Sequence, residues 1–90
     1  MGKQNFKEFK KKLNSVGEWP RVYLFKFIIP ADNRKLAKVE ALFGTEARVQ
    51  IRPSKKGNYL SISAKELMLS ADGIIDRYEK ASEIEGLMAL

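Results

Sequence analysis

The stretch Trp19-Pro20-Arg21-Val22-Tyr23-Leu24-Phe25-Lys26-Phe27-Ile28-Ile29-Pro30 decides the fold, because it holds two of the three prolines and four of the nine aromatic residues of a 90-residue chain. Its alternation predicts a strand from Arg21 to Ile29 with two distinct faces. One face carries Tyr23, Phe25, Phe27 and Ile29, and the other carries Val22, Leu24, Lys26 and Ile28. The aromatic face is expected to meet the core, because a lysine such as Lys26 should face water. A strand that is apolar on both faces is typical of the centre of a sheet.

A basic segment precedes this strand, and a helical segment follows it. Phe6, Phe9 and Leu13 recur at helical spacing among lysines, which predicts that residues 1–18 form an amphipathic helix and a connector. Residues 19–90 are predicted to form one domain. Its first helix is expected to begin at Asp32 as the N-cap and to end at Gly44. The buried stripe of that helix is predicted to be Leu36, Val39, Leu42 and Phe43.

Two further strands and a second helix complete the pattern. Residues 46–53 alternate, with Ala47, Val49 and Ile51 inward and Arg48, Gln50 and Arg52 outward, and Pro53 indicates an edge strand. Residues 54–58 are predicted to be a hairpin loop, in which Gly57 and Asn58 supply residues that tolerate positive φ. Residues 59–65 form the third predicted strand, with Leu60, Ile62 and Ala64 inward and Tyr59, Ser61 and Ser63 outward. Ser70 or Asp72 is predicted to cap a second helix, whose apolar side consists of Ile74, Ile75, Tyr78 and Ala81. A turn at Glu85-Gly86 then leads to a last strand over residues 87–90.

The element order is a helix followed by β-α-β-β-α-β, which predicts an α+β, ferredoxin-like sandwich. We expect a four-stranded antiparallel sheet with two helices on one face and the extra N-terminal helix outside this repeat. The first and third strands should be central, and the second and fourth should lie at the edges.

Composition removes several classes of function. The chain has no cysteine and no histidine, so it lacks thiolate chemistry, histidine bases and the usual transition-metal ligands. We therefore predict no enzyme activity, no catalytic residue, no metal site and no cofactor. No apolar run is long enough to span a bilayer, which predicts a cytoplasmic protein without a membrane partner. Residues 1–65 hold 15 lysines and arginines against 5 acidic residues, whereas residues 66–90 hold 2 against 6, so a basic and an acidic surface are expected.

Three interpretations of the side of the sheet without helices stay open. This side carries an apolar band from the first strand, and the N-terminal helix could cover it. Alternatively, the band could form a homodimer interface, with Val22, Leu24 and Ile28 as candidate interface residues. Finally, it could bind single-stranded RNA. The third interpretation uses Arg48 and Arg52 together with Lys26, Lys55, Lys56 and Tyr59 as a nucleic-acid face. Its weak point is stacking, because only Tyr59 offers an exposed aromatic ring.

Four segments of the chain carry a family resemblance: Trp19-Pro20, Phe25-Lys26-Phe27-Ile28-Ile29-Pro30, Ser54-Lys55-Lys56-Gly57-Asn58-Tyr59 and Ile84-Glu85-Gly86. Their order and spacing resemble those of the YbeD-like family over about Phe6 to Leu90. The family consists of small bacterial domains with an ACT-like fold and no assigned function. The resemblance implies a regulatory domain that dimerises or binds a small effector near the first strand–helix loop. That loop lacks the glycine that ACT effector sites typically use. The candidate ligand- or partner-binding residues are Lys26, Pro30, Asp32, Asn33, Ser54, Lys55, Lys56, Gly57, Asn58 and Tyr59.

These observations predict a non-catalytic regulatory or adaptor domain that binds a partner protein, a second copy of itself or a small effector. Nucleic-acid binding through the basic side of the sheet is the alternative.

Overall fold

A computed structural model describes residues 4–90 of the chain, in seven elements. The helices are α1 (Gln4–Val16), α2 (Asn33–Glu40) and α3 (Ala71–Ala81), and the strands are β1 (Arg21–Pro30), β2 (Arg48–Pro53), β3 (Tyr59–Met68) and β4 (Met88–Ala89). The strands form one antiparallel sheet in the order β2-β3-β1-β4. This α+β architecture confirms the predicted ferredoxin-like fold with β1 and β3 at its centre. The first three residues of the predicted segment 1–18 lie outside the described residues.

The core lies between the sheet and the helices. Phe25, Phe27 and Ile29 of β1 are fully buried, and Ile62 and Ala64 of β3 lie beside them in the same layer. The helices contribute Val39, Ile74 and Ala81, as the predicted apolar stripes require. Burial of these large side chains stabilises the fold by about 1.5–3 kcal/mol for each one. The aromatic face of β1 is therefore the core face, as its alternation predicts.

Helix α1 packs on the helical side of the molecule. Leu13 joins the buried core cluster, and the ring of Phe9 meets the ring of Tyr78 on α3 edge to face, with centroids 5.6 Å apart. At the connector, the Arg21 guanidinium donates to the Leu13 carbonyl and lies over the Trp19 ring. Because Val22 and Leu24 stay exposed, the first interpretation of the uncovered sheet side, a cover formed by α1, is wrong.

Three predicted element bounds need correction, and backbone hydrogen bonds give the reason for each. Helix α2 ends at Glu40, before the predicted end at Gly44. After it, the amides of Leu42 and Phe43 donate to the carbonyls three residues earlier, and this turn packs both side chains against the core. Strand β2 begins at Arg48, because the Ala47 amide donates to the Gly44 carbonyl in a turn. Strand β4 excludes Leu87, whose amide donates to the Ile84 carbonyl.

Gly57 has φ +76°, in agreement with the predicted hairpin loop. Two further expectations differ from the structure in detail. Val49 and Ile51 do point to the helical side, in register with Ala64 and Ile62, yet both remain exposed at the sheet edge. Strand β3 continues to Met68, three residues beyond its predicted end.

Candidate functional site

The side of the sheet away from the helices is the candidate site, and we call it the open face. Register fixes its members, because residues opposite each other on neighbouring strands share a side. They are Val22, Leu24, Lys26, Ile28, Arg48, Gln50, Arg52, Tyr59, Ser61, Ser63, Lys65, Leu67 and Met88. Leu67 was not assigned to the open face from sequence, because the predicted third strand stopped at Lys65, and Lys65 itself was left without a face as the last residue of that strand.

The open face has an apolar half along β1. Val22 is 63% exposed and lies opposite Leu67, Leu24 is 43% exposed, and Ile28 lies opposite Met88. These side chains form an apolar band along a central strand, and Lys26 interrupts the band between Leu24 and Ile28. The structure thus brings together the three candidate interface residues of the sequence analysis.

The rest of the open face, which is β3 and β2 together with Lys26 of β1, is cationic. Lys26, Lys65, Arg48 and Arg52 lie on the open face, and none of its members is an aspartate or glutamate. The ion pairs found within residues 4–90 join Lys10 to Asp72, Arg77 to Glu66 and Lys80 to Asp76, away from this face. Arg48 and Lys65 lie directly opposite each other, which is an unfavourable cross-strand pair. The face therefore has an uncompensated positive potential.

Two shallow depressions lie side by side among these cations. One of about 190 Å³ is lined by Leu24, Arg48, Gln50, Ser63 and Lys65. The other, of about 270 Å³, is lined by Lys26, Gln50, Arg52, Ser61 and Ser63. Each holds two cationic side chains, and they share the amide of Gln50 and the hydroxyl of Ser63, which can donate hydrogen bonds.

The candidate ligand residues of the first strand–helix loop and the hairpin meet at one end of the sheet. Pro30 lies opposite Tyr59, and the Ala31 amide donates to the Asn58 carbonyl at 2.9 Å. Within the hairpin, the Tyr59 amide donates to Ser54 Oγ at 3.1 Å. Gly57 and the exposed Lys55 and Lys56 complete this end of the sheet, and Lys26 lies two rows away on the open face.

Asp32 serves the helix rather than an open site. Its Oδ1 accepts hydrogen bonds from the amides of Lys35 and Arg34, at 3.2 and 2.7 Å, and these bonds hold the pKa of Asp32 below its usual range. Asn33 follows as the exposed first residue of α2. The N-cap prediction is therefore confirmed, and the carboxylate of Asp32 already has donors.

Sequence reasoning missed a partly buried ion pair on the helical side. The Arg77 guanidinium donates to both carboxylate oxygens of Glu66, at 2.6 and 3.1 Å, and the Gly44 amide donates to Glu66 Oε1 at 3.3 Å. The hydrogen bonds from Arg77, with the Gly44 bond as a further contribution, hold the pKa of Glu66 below its usual range despite partial burial. This pair ties α3, β3 and the turn after α2 together, and the sequence signal for it was the charged residue at an inward position of β3.

Two tyrosine hydroxyls are also engaged with each other. Tyr78 and Tyr23 share a hydroxyl–hydroxyl hydrogen bond of 3.0 Å, and burial, followed by this bond, raises the pKa of Tyr78. Within residues 4–90, no three acidic side chains come close enough to hold a metal ion. None of the helices in that range has the length and apolar character to cross a bilayer. Comparisons of the chain with family models, with curated proteins and with solved structures found no match.

Proposed function

We propose that this chain is a non-catalytic regulatory or adaptor domain that binds a partner protein or a small effector through the open face. One observation carries the proposal: the apolar band of β1 is uncovered although β1 is a central strand. Central strands that are apolar on both sides are usually covered on both. Contiguous apolar surface beside polar residues is typical of interaction sites.

The energetics of the apolar band support binding. Each Å² of apolar surface removed from water contributes about 25 cal/mol. Val22, Leu24, Leu67 and Met88 keep more than two-fifths of their surface exposed. A partner that covers them gains this hydrophobic stabilisation without ordering the sheet, which is already held by the core. Because the core already holds the backbone of the open face, binding has to order side chains but not the sheet.

The non-catalytic part of the proposal rests on the lack of cysteine and histidine, and on the engagement of three side chains that could otherwise act as acids or bases. Glu66 is held by Arg77, Asp32 by backbone amides, and Tyr78 by Tyr23. The resemblance to regulatory ACT-like domains supports the same conclusion. Nucleic-acid binding is the second candidate, favoured by the four cations of the open face together with Lys55, Lys56 and Tyr59.

The test compares Leu24→Asp with Val49→Asp. Both residues are exposed on strands, but Val49 points to the helical side and is a matched control. A thermal-shift screen would use amino acids, nucleotides and a mixed-sequence RNA, at low and physiological salt. A ligand at 100 times its dissociation constant stabilises a protein by about 2.7 kcal/mol. That gain raises the melting temperature of a domain this small by roughly 10 °C or more.

We expect both variants to fold and only Leu24→Asp to lose the ligand-induced shift. For a protein partner, the same pair of variants is compared by surface capture of the purified partner. Equal binding by both variants would place the site elsewhere, and loss of the fold in Leu24→Asp would show that the open face is structural. A turnover that survives repurification would refute the non-catalytic assignment.

A further inference from the structure

We propose that the partner of the open face is an acidic amphipathic helix of another protein, with two carboxylates along one flank and aliphatic side chains along its contact stripe. This inference rests on the proposed function and adds the chemistry of the partner. It follows from the charge, the spacing and the apolar content of the open face.

The charge of the open face calls for an anionic partner. Arg48 opposes Lys65 across β2 and β3, and no carboxylate of the open face offsets their repulsion. A bound carboxylate in the first depression would contact both cations and relieve that repulsion. A second carboxylate would meet Lys26 and Arg52 in the other depression.

The spacing of the depressions matches a helix. The first depression lies between the rows of Leu24 and Lys26, and the second between the rows of Lys26 and Ile28. Neighbouring rows are two residues apart, so the centres of the depressions lie about 7 Å apart. Acidic residues at positions i and i+4 of a helix lie about 6 Å apart along its axis. The strands β1, β3 and β2 together span about 10 Å, which is the width of one helix.

The apolar half of the open face selects protein over nucleic acid. Three of the four open-face side chains along β1, Val22, Leu24 and Ile28, are aliphatic, with Leu67 and Met88 beside them. Aliphatic side chains complement a leucine-rich helix stripe. Bases bind single-stranded sites by stacking on aromatic rings, and Tyr59 is the one aromatic residue among the members of the open face.

The same charges argue against a second copy of this chain. A two-fold pair of open faces would bring both sets of four cations into one interface, and no aspartate or glutamate among the open-face residues would neutralise them. Helix α1 of a neighbouring copy carries Lys7, Lys10, Lys11 and Lys12, so its charge is also wrong. Helix α3 is more acidic, but its apolar side is already committed to the core through Ile74 and Ala81.

The test is an NMR and fluorescence-anisotropy titration with a designed probe. The probe is an 18-residue helical peptide of alanine, leucine and glutamate, with a leucine stripe and one flank of glutamates at i and i+4. A control peptide has glutamine at the same positions, and a 12-nucleotide mixed-sequence RNA is titrated in parallel. The protein variants are Arg48→Glu/Lys65→Glu and Lys26→Glu/Arg52→Glu. Their matched control is Lys12→Glu/Lys38→Glu, which makes the same change in net charge on α1 and α2.

We expect the glutamate peptide to shift the amide resonances of Leu24, Lys26 and Ser63. Each open-face double variant should raise its dissociation constant at least tenfold, and the control variant less than threefold. The glutamine peptide should bind at least tenfold more weakly than the glutamate peptide. Thermal unfolding of each variant checks that the fold is kept. Leu24→Asp is a further variant of the open face, in which an apolar side chain is replaced by an acidic one.

Other results overturn the inference without overturning the proposed function. Equal binding of the glutamine peptide would remove the role of the carboxylates. Tighter binding of RNA to the same resonances would make the partner a nucleic acid, and concentration-dependent assembly lost in the open-face variants would make it a second copy. The inference is also refuted if 1 mM glutamate peptide does not shift the amide resonances of the open face. The proposed function fails separately, when Leu24→Asp and Val49→Asp bind every ligand of the thermal-shift screen equally.

Discussion

Replacing Glu66 by glutamine tests the partly buried ion pair that joins α3 to β3. The side chains of Glu66 and Arg77 are only 14% and 19% exposed, and glutamine preserves the shape of Glu66 but leaves the Arg77 cation without its counter-ion. Breaking a buried pair costs about 3–5 kcal/mol, whereas an exposed pair contributes about 0–1 kcal/mol. The partial burial places this pair between the two, so Glu66→Gln should lower the free energy of unfolding by about 2 kcal/mol.

The assay is thermal and urea unfolding followed by circular dichroism. For a domain of this length, about 2 kcal/mol corresponds to a fall in melting temperature of roughly 8–16 °C. Asp76→Asn is the matched control, because the Asp76–Lys80 pair is 3.2 Å long and exposed on α3. It should change the free energy of unfolding by less than about 0.5 kcal/mol. Equal melting temperatures for the two variants would refute the argument from burial.

The pH dependence of the same variant gives a second check. Because the hydrogen bonds from Arg77 lower the pKa of Glu66 in the fold, the unfolded chain takes up this proton first as pH falls. The stabilisation is therefore complete above the unfolded pKa of about 4.3 and is lost as pH falls through the folded pKa. The difference in stability between the wild type and Glu66→Gln should shrink between pH 6 and pH 3. A difference that stays constant over this range would contradict an ionised Glu66.

Backbone positions offer further tests by urea unfolding. Gly86 has φ +83°, and a Cβ there would lie 2.9 Å from Pro30 Cγ, so Gly86→Ala should cost more than the roughly 1–2 kcal/mol of the left-handed conformation alone. Gly57 has φ +76°, and no atom lies within 4 Å of a Cβ placed there, so Gly57→Ala should cost about 1 kcal/mol. If the two alanine variants lose equal free energy of unfolding, the contact with Pro30 has no effect. Ser70 Oγ accepts from the Gly73 amide, so Ser70→Ala should cost about 1 kcal/mol; an unchanged urea midpoint would show that the cap adds nothing.

The architecture could be predicted because local patterns and global packing agree. Strand β1 alternates between aromatic and mixed faces, and the structure buries the first and exposes the second. The caps at Asp32 and Ser70 are local hydrogen bonds, so residue type and position predicted Asp32 and limited the second cap to Ser70 or Asp72; the structure shows that it is Ser70. Strand β4 was less predictable, because its start depends on the turn bond between Leu87 and Ile84 rather than on hydrophobicity.

The end of β3 was mispredicted for a physical reason that also changed the candidate site. Inward positions of β3 read Leu60, Ile62, Ala64 and then Glu66, so the apolar alternation stops at a charge. The strand continues because Arg77, which is eleven residues away in sequence, provides that charge with a partner. A local pattern contains no information about such a partner.

The consequence extends to the opposite side of the sheet. Once Glu66 can face inward, β3 continues, and the next residue, Leu67, turns outward beside Val22. Lys65 then lies within the open face opposite Arg48 rather than at the end of a strand. The ion pair on the helical side therefore lengthens the apolar band and sets one cation against another on the open face. If Glu66→Gln frays this end of β3, binding of the glutamate peptide should weaken even though Glu66 does not touch the open face.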